Sequence, residues 1–228
     1  FQRVGNLSAG RESHVLAQLE RRLLLLGGWS AQGATRSIDH SDGTNLDQWP
    51  RAAQLLPSVR EHHGLTVHAA AICIVGGDDG RTISDEVLCA DRTAADEISG
   101  DWTPAEPLPA SRTGHETVQV GDFVFVMGGV DVIQGPSKDT VFRARIGPDG
   151  RPSGWTQART LPVALTFGAA AASGQQLYYA GGVDGRSALS GVLSASVGPD
   201  GALSAWQQVQ ELPDYRIGAT ATVFGEHL

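Results

Sequence analysis

LPASRTGHETVQVGDFVFVMGG, residues 108–129, decides the fold. Its apolar run Phe123–Met127 stops at Gly128-Gly129, and the same stop recurs three more times. Diglycines stand at Gly27-Gly28, Gly76-Gly77, Gly128-Gly129 and Gly181-Gly182, spaced by 49, 52 and 53 residues. Tryptophans follow at Trp49, Trp102, Trp155 and Trp206, spaced by 53, 53 and 51. Leu-Pro pairs begin at Leu56, Leu108, Leu161 and Leu212, spaced by 52, 53 and 51. Three independent markers share one period near 50, and a fixed period of that length is the signature of a repeat architecture.

Within each period the pattern is one of short strands. VFVMG, ICIVG and LYYAG are β-branched and aromatic runs closed by glycine. Each is followed by a loop, a second run (EVLCA, TVFRARI, GVLSASV), a turn and the Trp segment. Two of those turns read Gly-Pro-Asp-Gly, at Gly147–Gly150 and Gly198–Gly201, and Asp-Gly is a hairpin signal because glycine accepts positive φ. HVLAQLERRLLLLGG alone has the composition of an amphipathic helix. Its alignment with HETVQVGDFVFVMGG puts Glu20-Arg21 at the turn of Gly121-Asp122, so a hairpin is expected there.

Four strands per repeat, a diglycine and a later Trp at fixed phase resemble the kelch repeat of β-propellers, over essentially the whole chain. The resemblance implies an all-β kelch-type propeller with four complete four-stranded blades and partial blades at both ends, part of a six- or seven-bladed ring. The expected divisions are an outer strand at 1–10, with Phe1 at a Trp position, then blades at 11–59, 60–111, 112–164 and 165–215, and the start of another at 216–228. On this reading the sequence is an excerpt of a longer propeller. The diglycines are expected to give the Trp of the same repeat a bare backbone to pack on.

Composition excludes several functions. With 41% hydrophobic and 18% charged residues the 228-residue chain has material for a core. A formal charge of −8 opposes binding to nucleic acid or to an anionic membrane surface, and no apolar stretch reaches the roughly 18 residues of a membrane span. Sixteen of the seventeen cations are arginine, which suggests a GC-rich, bacterial coding sequence. Compartment is left open, with secreted, periplasmic or cell-surface settings slightly preferred to the cytoplasm.

Strand alternation brings the loop before the first strand and the loop after the diglycine to one face of the ring. Arg60, Arg112 and Arg216 stand in the first loop type; Asp78, Asp79, Arg81, Asp131, Asp184 and Arg186 stand in the second. Such a mixed ring has the forks and carboxylates to hold an acidic sugar or a glycan. The competing role for the arginines is to hold loop carbonyls between blades. His62, His63 and His68 lie close in sequence, and His14, His63 and His115 recur at one phase; a metal needs ligands that converge at bond distance, and equivalent residues of neighbouring blades sit too far apart to share an ion, so no metal and no cofactor is expected. A galactose-oxidase-type copper set, a nucleophile elbow and a phosphate loop have no counterpart in the sequence. Cys73 and Cys89 fall on adjacent strands and read as two buried thiols, with a cross-strand disulfide as the alternative in an oxidising compartment. The functional expectation is a noncatalytic scaffold for a protein partner or assembly, with sugar binding or a sialic acid epimerase-like activity as the alternative.

Overall fold

The structure, a computed structural model, describes residues 6–42 and 45–223. Those residues form strands and loops with no helix among them, and no helix is long and apolar enough to cross a membrane. The first repeat contributes β1 (Arg11–Glu12), β2 (Val15–Gln18), β3 (Leu23–Leu26), β4 (Trp29–Ser30), β5 (Gly33–Ala34) and β6 (Ile38–Ser41). The second contributes β7 (Gly64–Val67), β8 (Ala71–Val75), β9 (Val87–Arg92) and β10 (Ile98–Pro104). The third gives β11 (Glu116–Val120), β12 (Phe123–Met127), β13 (Val141–Ile146) and β14 (Pro152–Gln157); the fourth gives β15 (Ala169–Ser173), β16 (Gln176–Ala180), β17 (Gly191–Ser196) and β18 (Gln207–Glu211).

The last three repeats each fold into a four-stranded antiparallel sheet whose strands lie in sequence order. The first forms a three-stranded sheet, β2-β3-β6, and its Trp segment joins through the bridge Asp39↔Arg51 instead of a regular strand. HVLAQLERRLLLLGG is the hairpin β2–β3, with Val15 opposite Leu26 and Gln18 opposite Leu23. Propensity gives way to pairing there because Leu24, Leu25 and Leu26 are all buried. Residues 6–10 and 216–223 form no strand; Phe1 and the rest of 1–5, with 224–228, lie outside the described residues.

The core lies between blades, and strand alternation explains how one sheet serves two cores. Ile72, Ile74 and Leu88 pack with Leu24, Leu26 and Ile38 of the first blade. Their neighbours Cys73, Val75, Val87 and Cys89 point the other way, against Val124, Val126 and Phe142. Phe125 and Met127 then meet Leu177, Tyr179 and Leu193 in a third cluster. The second and third blades are thus sandwiched, and truncating a fully buried side chain such as Phe125 to alanine would cost about 3–5 kcal/mol.

Two expectations are corrected at this level. Cys73 and Cys89 are not free thiols: they stand directly opposite on β8 and β9 and form a disulfide. The diglycines do not serve the Trp of their own repeat. A Cβ on Gly76 would lie 2.6 Å from the Arg112 carbonyl and 2.9 Å from the His115 ring, both on the next blade. Gly27 stands in the same relation to Arg60 and His63. The second glycine of each pair then donates its N–H across the blade boundary, from Gly28 to Arg60, Gly77 to Arg112, Gly129 to Leu165 and Gly182 to Arg216, at 2.7–2.8 Å. Positive φ at all eight glycines aims those amides, and only a missing Cβ admits the neighbouring carbonyl.

Candidate functional site

The loop before each first strand carries a residue in the left-handed region: Ser13, His62, Gly114, Phe167 and Gly218, with φ between 48° and 62°. They share one phase of the repeat, and their amides run from blade to blade. His62 donates to the Ser13 carbonyl (3.1 Å), Gly114 to His62 (3.2 Å), Phe167 to Gly114 (2.9 Å) and Gly218 to Phe167 (2.8 Å). The rings of His62 and Phe167, two repeats apart, meet edge to face with centroids at 5.1 Å. Blades approach that closely only near the axis, so these residues mark the mouth of the propeller.

Directly beside this ring, the residue before each left-handed position pairs with the residue after each diglycine. The pairs are Glu12 with Trp29, Glu61 with Asp78, Thr113 with Val130 and Thr166 with Val183. In the second repeat, therefore, Glu61, His62 and Asp78 are gathered into one cluster. His62 Nδ1 lies 3.6 Å from a Glu61 oxygen and 3.5 Å from Asp78 Oδ2, while its Nε2 shares a hydrogen bond of 2.8 Å with Ser13 Oγ. Asp78 accepts hydrogen bonds from the Gly80 amide (2.8 Å) and from Thr113 Oγ1. Burial opposes its charge, but contacts from His62, Thr113 and Gly80 hold its carboxyl below the usual range. Burial raises Glu61, partly offset by His62 and reinforced by the charges of Asp78 and Glu12.

The candidate residues from the sequence fall into three groups. Arg60 and Arg112 are each 3% exposed. Arg60 donates to the Gly76 carbonyl (2.8 Å) and to Glu86 (2.6 Å); Arg112 donates to the Ser111 carbonyl (2.7 Å) and lies 4.9 Å over the Phe142 ring. Arg11, at the same phase, is buried against Asp39 at 2.7 Å and donates to the Gly27 carbonyl. Asp79 and Asp184 fold back on their own loops, each accepting two backbone amides, from Arg81 and Thr82 and from Arg186 and Ser187, which lowers both carboxyls. Asp131 pairs with Lys138 at 2.9 Å. Arg81, Arg186 and Arg216 are exposed on the loop face.

Glu61, Ser13 and Phe167 escape a reading that looks for repeated residues, and His62 enters it only as a sequence neighbour of His63 and His68. The signal lies in the reverse pattern: at a phase where the backbone repeats faithfully, the side chain changes from Ser to His to Gly to Phe. His63 and His115, at the repeated phase, are buried against Gly27 and Gly76 of the preceding blade.

Successive antiparallel sheets, one three-stranded and three four-stranded, with cores packed between them and first-strand loops converging at an axial mouth, define a β-propeller. No family model matches the chain. Beta-scruin of Limulus polyphemus is 28% identical over 188 residues, covering 78% of this chain and 20% of that one. Kelch-like protein 36 of Bos taurus is 26% identical over 131 residues, 57% of this chain and 20% of that one. The chain thus spans about a fifth of the length of these curated relatives. The solved structure of YjhT superposes with a TM-score of 0.73 at 16% identity, over 92% of this chain and 73% of that one. Repeat, fold and relatives together make the chain a kelch-repeat β-propeller.

Proposed function

We propose that the protein is a noncatalytic scaffold that docks a protein partner on the loop face around the mouth. One observation carries the reading. Trp29, Val59, Val132, Ile133 and Val163 are each at least 36% exposed, and all stand on that one face, Trp29 in the short strand β4 and the others in loops, with Tyr215 and Ile217 in a loop of the same type as Val59. Apart from these, the large exposed apolar residues among the described ones are Leu16 and Val209. Apolar side chains gathered on one loop face and rimmed by Asp79, Arg81, Asp184 and Arg186 have the anatomy of a protein interface. The kelch relatives, one of them named as a Kelch-like protein, support the same class. An acidic-sugar site built on Arg60 and Arg112 has less support, because both guanidiniums are buried against the fold's own groups.

The test maps a partner onto the two faces. A photo-crosslinking residue at Val132 captures the partner and one at Gln175, on an opposite-face hairpin, does not; Val132→Asp with Ile133→Asp keeps the melting temperature and loses the complex. Capture through Gln175 alone, or saturable binding of an acidic monosaccharide with no protein complex, would replace this reading.

A further inference from the structure

We propose that Glu61, His62 and Asp78 form a binding site for one divalent transition-metal ion of the zinc class at the propeller mouth. Zinc bonds to His nitrogen and carboxylate oxygen at about 2.0–2.2 Å, so two ligands of a tetrahedral site stand about 3.3–3.6 Å apart. The two imidazole-to-carboxylate separations here are 3.5 and 3.6 Å, and the three ligand atoms all lie within 4.8 Å of one another. The two imidazole-to-carboxylate separations are too long for good hydrogen bonds and right for two edges of a coordination sphere.

A second observation points independently to a ligand. The Glu61 side chain is only 9% exposed, yet its carboxylate takes part in no hydrogen bond among those of the described residues; its contact is the imidazole at 3.6 Å. A cation beside a carboxylate so placed would offset the hydration that burial removes. The surrounding groups also suit a metal. Ser13 Oγ accepting from Nε2–H would leave Nδ1 as the free lone pair, and Thr113 and the Gly80 amide orient the Asp78 carboxylate. His62 is 30% exposed, which gives the ion a path in and leaves a fourth position open to water or to a side chain of a docked partner. The sequence-based expectation of no metal weighed His62, His63 and His68 as sequence neighbours and His14, His63 and His115 as equivalents on successive blades; this site joins His62 to two carboxylates of its own blade, where the distance objection does not arise.

The experiment uses the intact chain without a polyhistidine tag, freed of metal with a chelator. Cobalt(II) is titrated while its visible absorption is followed, and zinc then displaces it. One equivalent with the intense absorption of a tetrahedral site is expected, lost in His62→Asn, where asparagine accepts the left-handed backbone, and at least about tenfold weaker in Ser13→Ala. Glu61→Gln, which keeps the shape, is the second ligand variant, and melting curves confirm that each variant is folded. His68→Gln, on a hairpin of the opposite face, leaves binding unchanged. Absence of cobalt binding by the wild-type chain, or binding that folded His62→Asn and Glu61→Gln retain, overturns the proposal.

Discussion

The imidazole of His62 meets the ring of Phe167 with centroids 5.1 Å apart, although a whole blade separates them in sequence. Gly114, the residue of the intervening blade at that phase, permits the contact. Its φ is +62°, and a Cβ there would lie 2.7 Å from both the Phe167 ring and Thr166 Oγ1. Gly114→Ala is expected to cost about 1–3 kcal/mol, from left-handed strain and the displaced ring together. Urea denaturation measures it, with Gly10→Ala as the comparison, since nothing lies within 4 Å of a Cβ at Gly10.

Arg11 and Asp39 test whether the repeated arginine is structural. Their side chains are 1% and 0% exposed at 2.7 Å, and Ser8 adds a hydrogen bond of 2.6 Å to the same carboxylate oxygen. Arg11→Ala leaves the buried Asp39 carboxylate with only Ser8 and the half-exposed Arg51 at 3.6 Å, and about 3 kcal/mol of stability is expected to go with the lost pair. Arg22→Ala removes an exposed pair with Glu97 at 2.8 Å and should cost less than about 1 kcal/mol. Equal losses for the two variants would show that the phase carries no structural load.

The propeller was legible because its devices repeat: the diglycine, the Trp and the Leu-Pro pair locate every blade that the sheets then show. Their reason was less legible. A diglycine announces a special backbone turn, but that it receives the Arg60 or Arg112 carbonyl of the next blade depends on a contact about 35 residues away, which no local pattern encodes. The arginines pointed to ligand by type and location, whereas burial decides what a guanidinium can reach. The Glu61–His62–Asp78 cluster was hidden for another reason. Asp78 comes from the far side of the first hairpin, and only the bridge between Glu61 and Asp78 closes the set.

The Cys73–Cys89 bond links strands 16 residues apart in sequence, within one blade. Chain-entropy arguments assign a loop of that size about 3 kcal/mol. Both cysteines are fully buried, so alkylation of the native chain without reductant is expected to leave the mass unchanged, as is alkylation after denaturation without reductant. Two alkyl groups added on denaturation without reductant would mean that the thiols are free. The double variant Cys73→Ala, Cys89→Ala should unfold at lower urea, with loss of stability near that estimate.

His115 and Glu116 are adjacent, and burial moves them in ways that give opposite slopes with pH. Desolvation, helped by the Arg112 charge, pulls the His115 imidazole down to about 3. The unfolded chain takes up that proton near 6.5, so the stability this neutral imidazole confers is full above 6.5 and is lost as pH falls toward 3. Burial pushes Glu116 up to about 8, against an ordinary value of 4.5. Its native form keeps a proton that the unfolded chain has released, so its contribution is full below 4.5 and is lost as pH rises toward 8. Between 4.5 and 6.5 the two slopes oppose each other; from 6.5 to 8 only the loss from Glu116 continues. Glu116→Gln, neutral at every pH, should therefore gain on the wild type as pH rises. A relative gain of at least about 2 °C in melting temperature between pH 5 and pH 8.5 is expected, corresponding to roughly 1 kcal/mol in a chain of this size. Because Glu116 retains some contact with solvent, the titration should be centred at or below 8. Parallel melting curves for the two proteins across that range would show that the carboxyl ionises normally and that its surroundings are wetter than the packed inner strands imply.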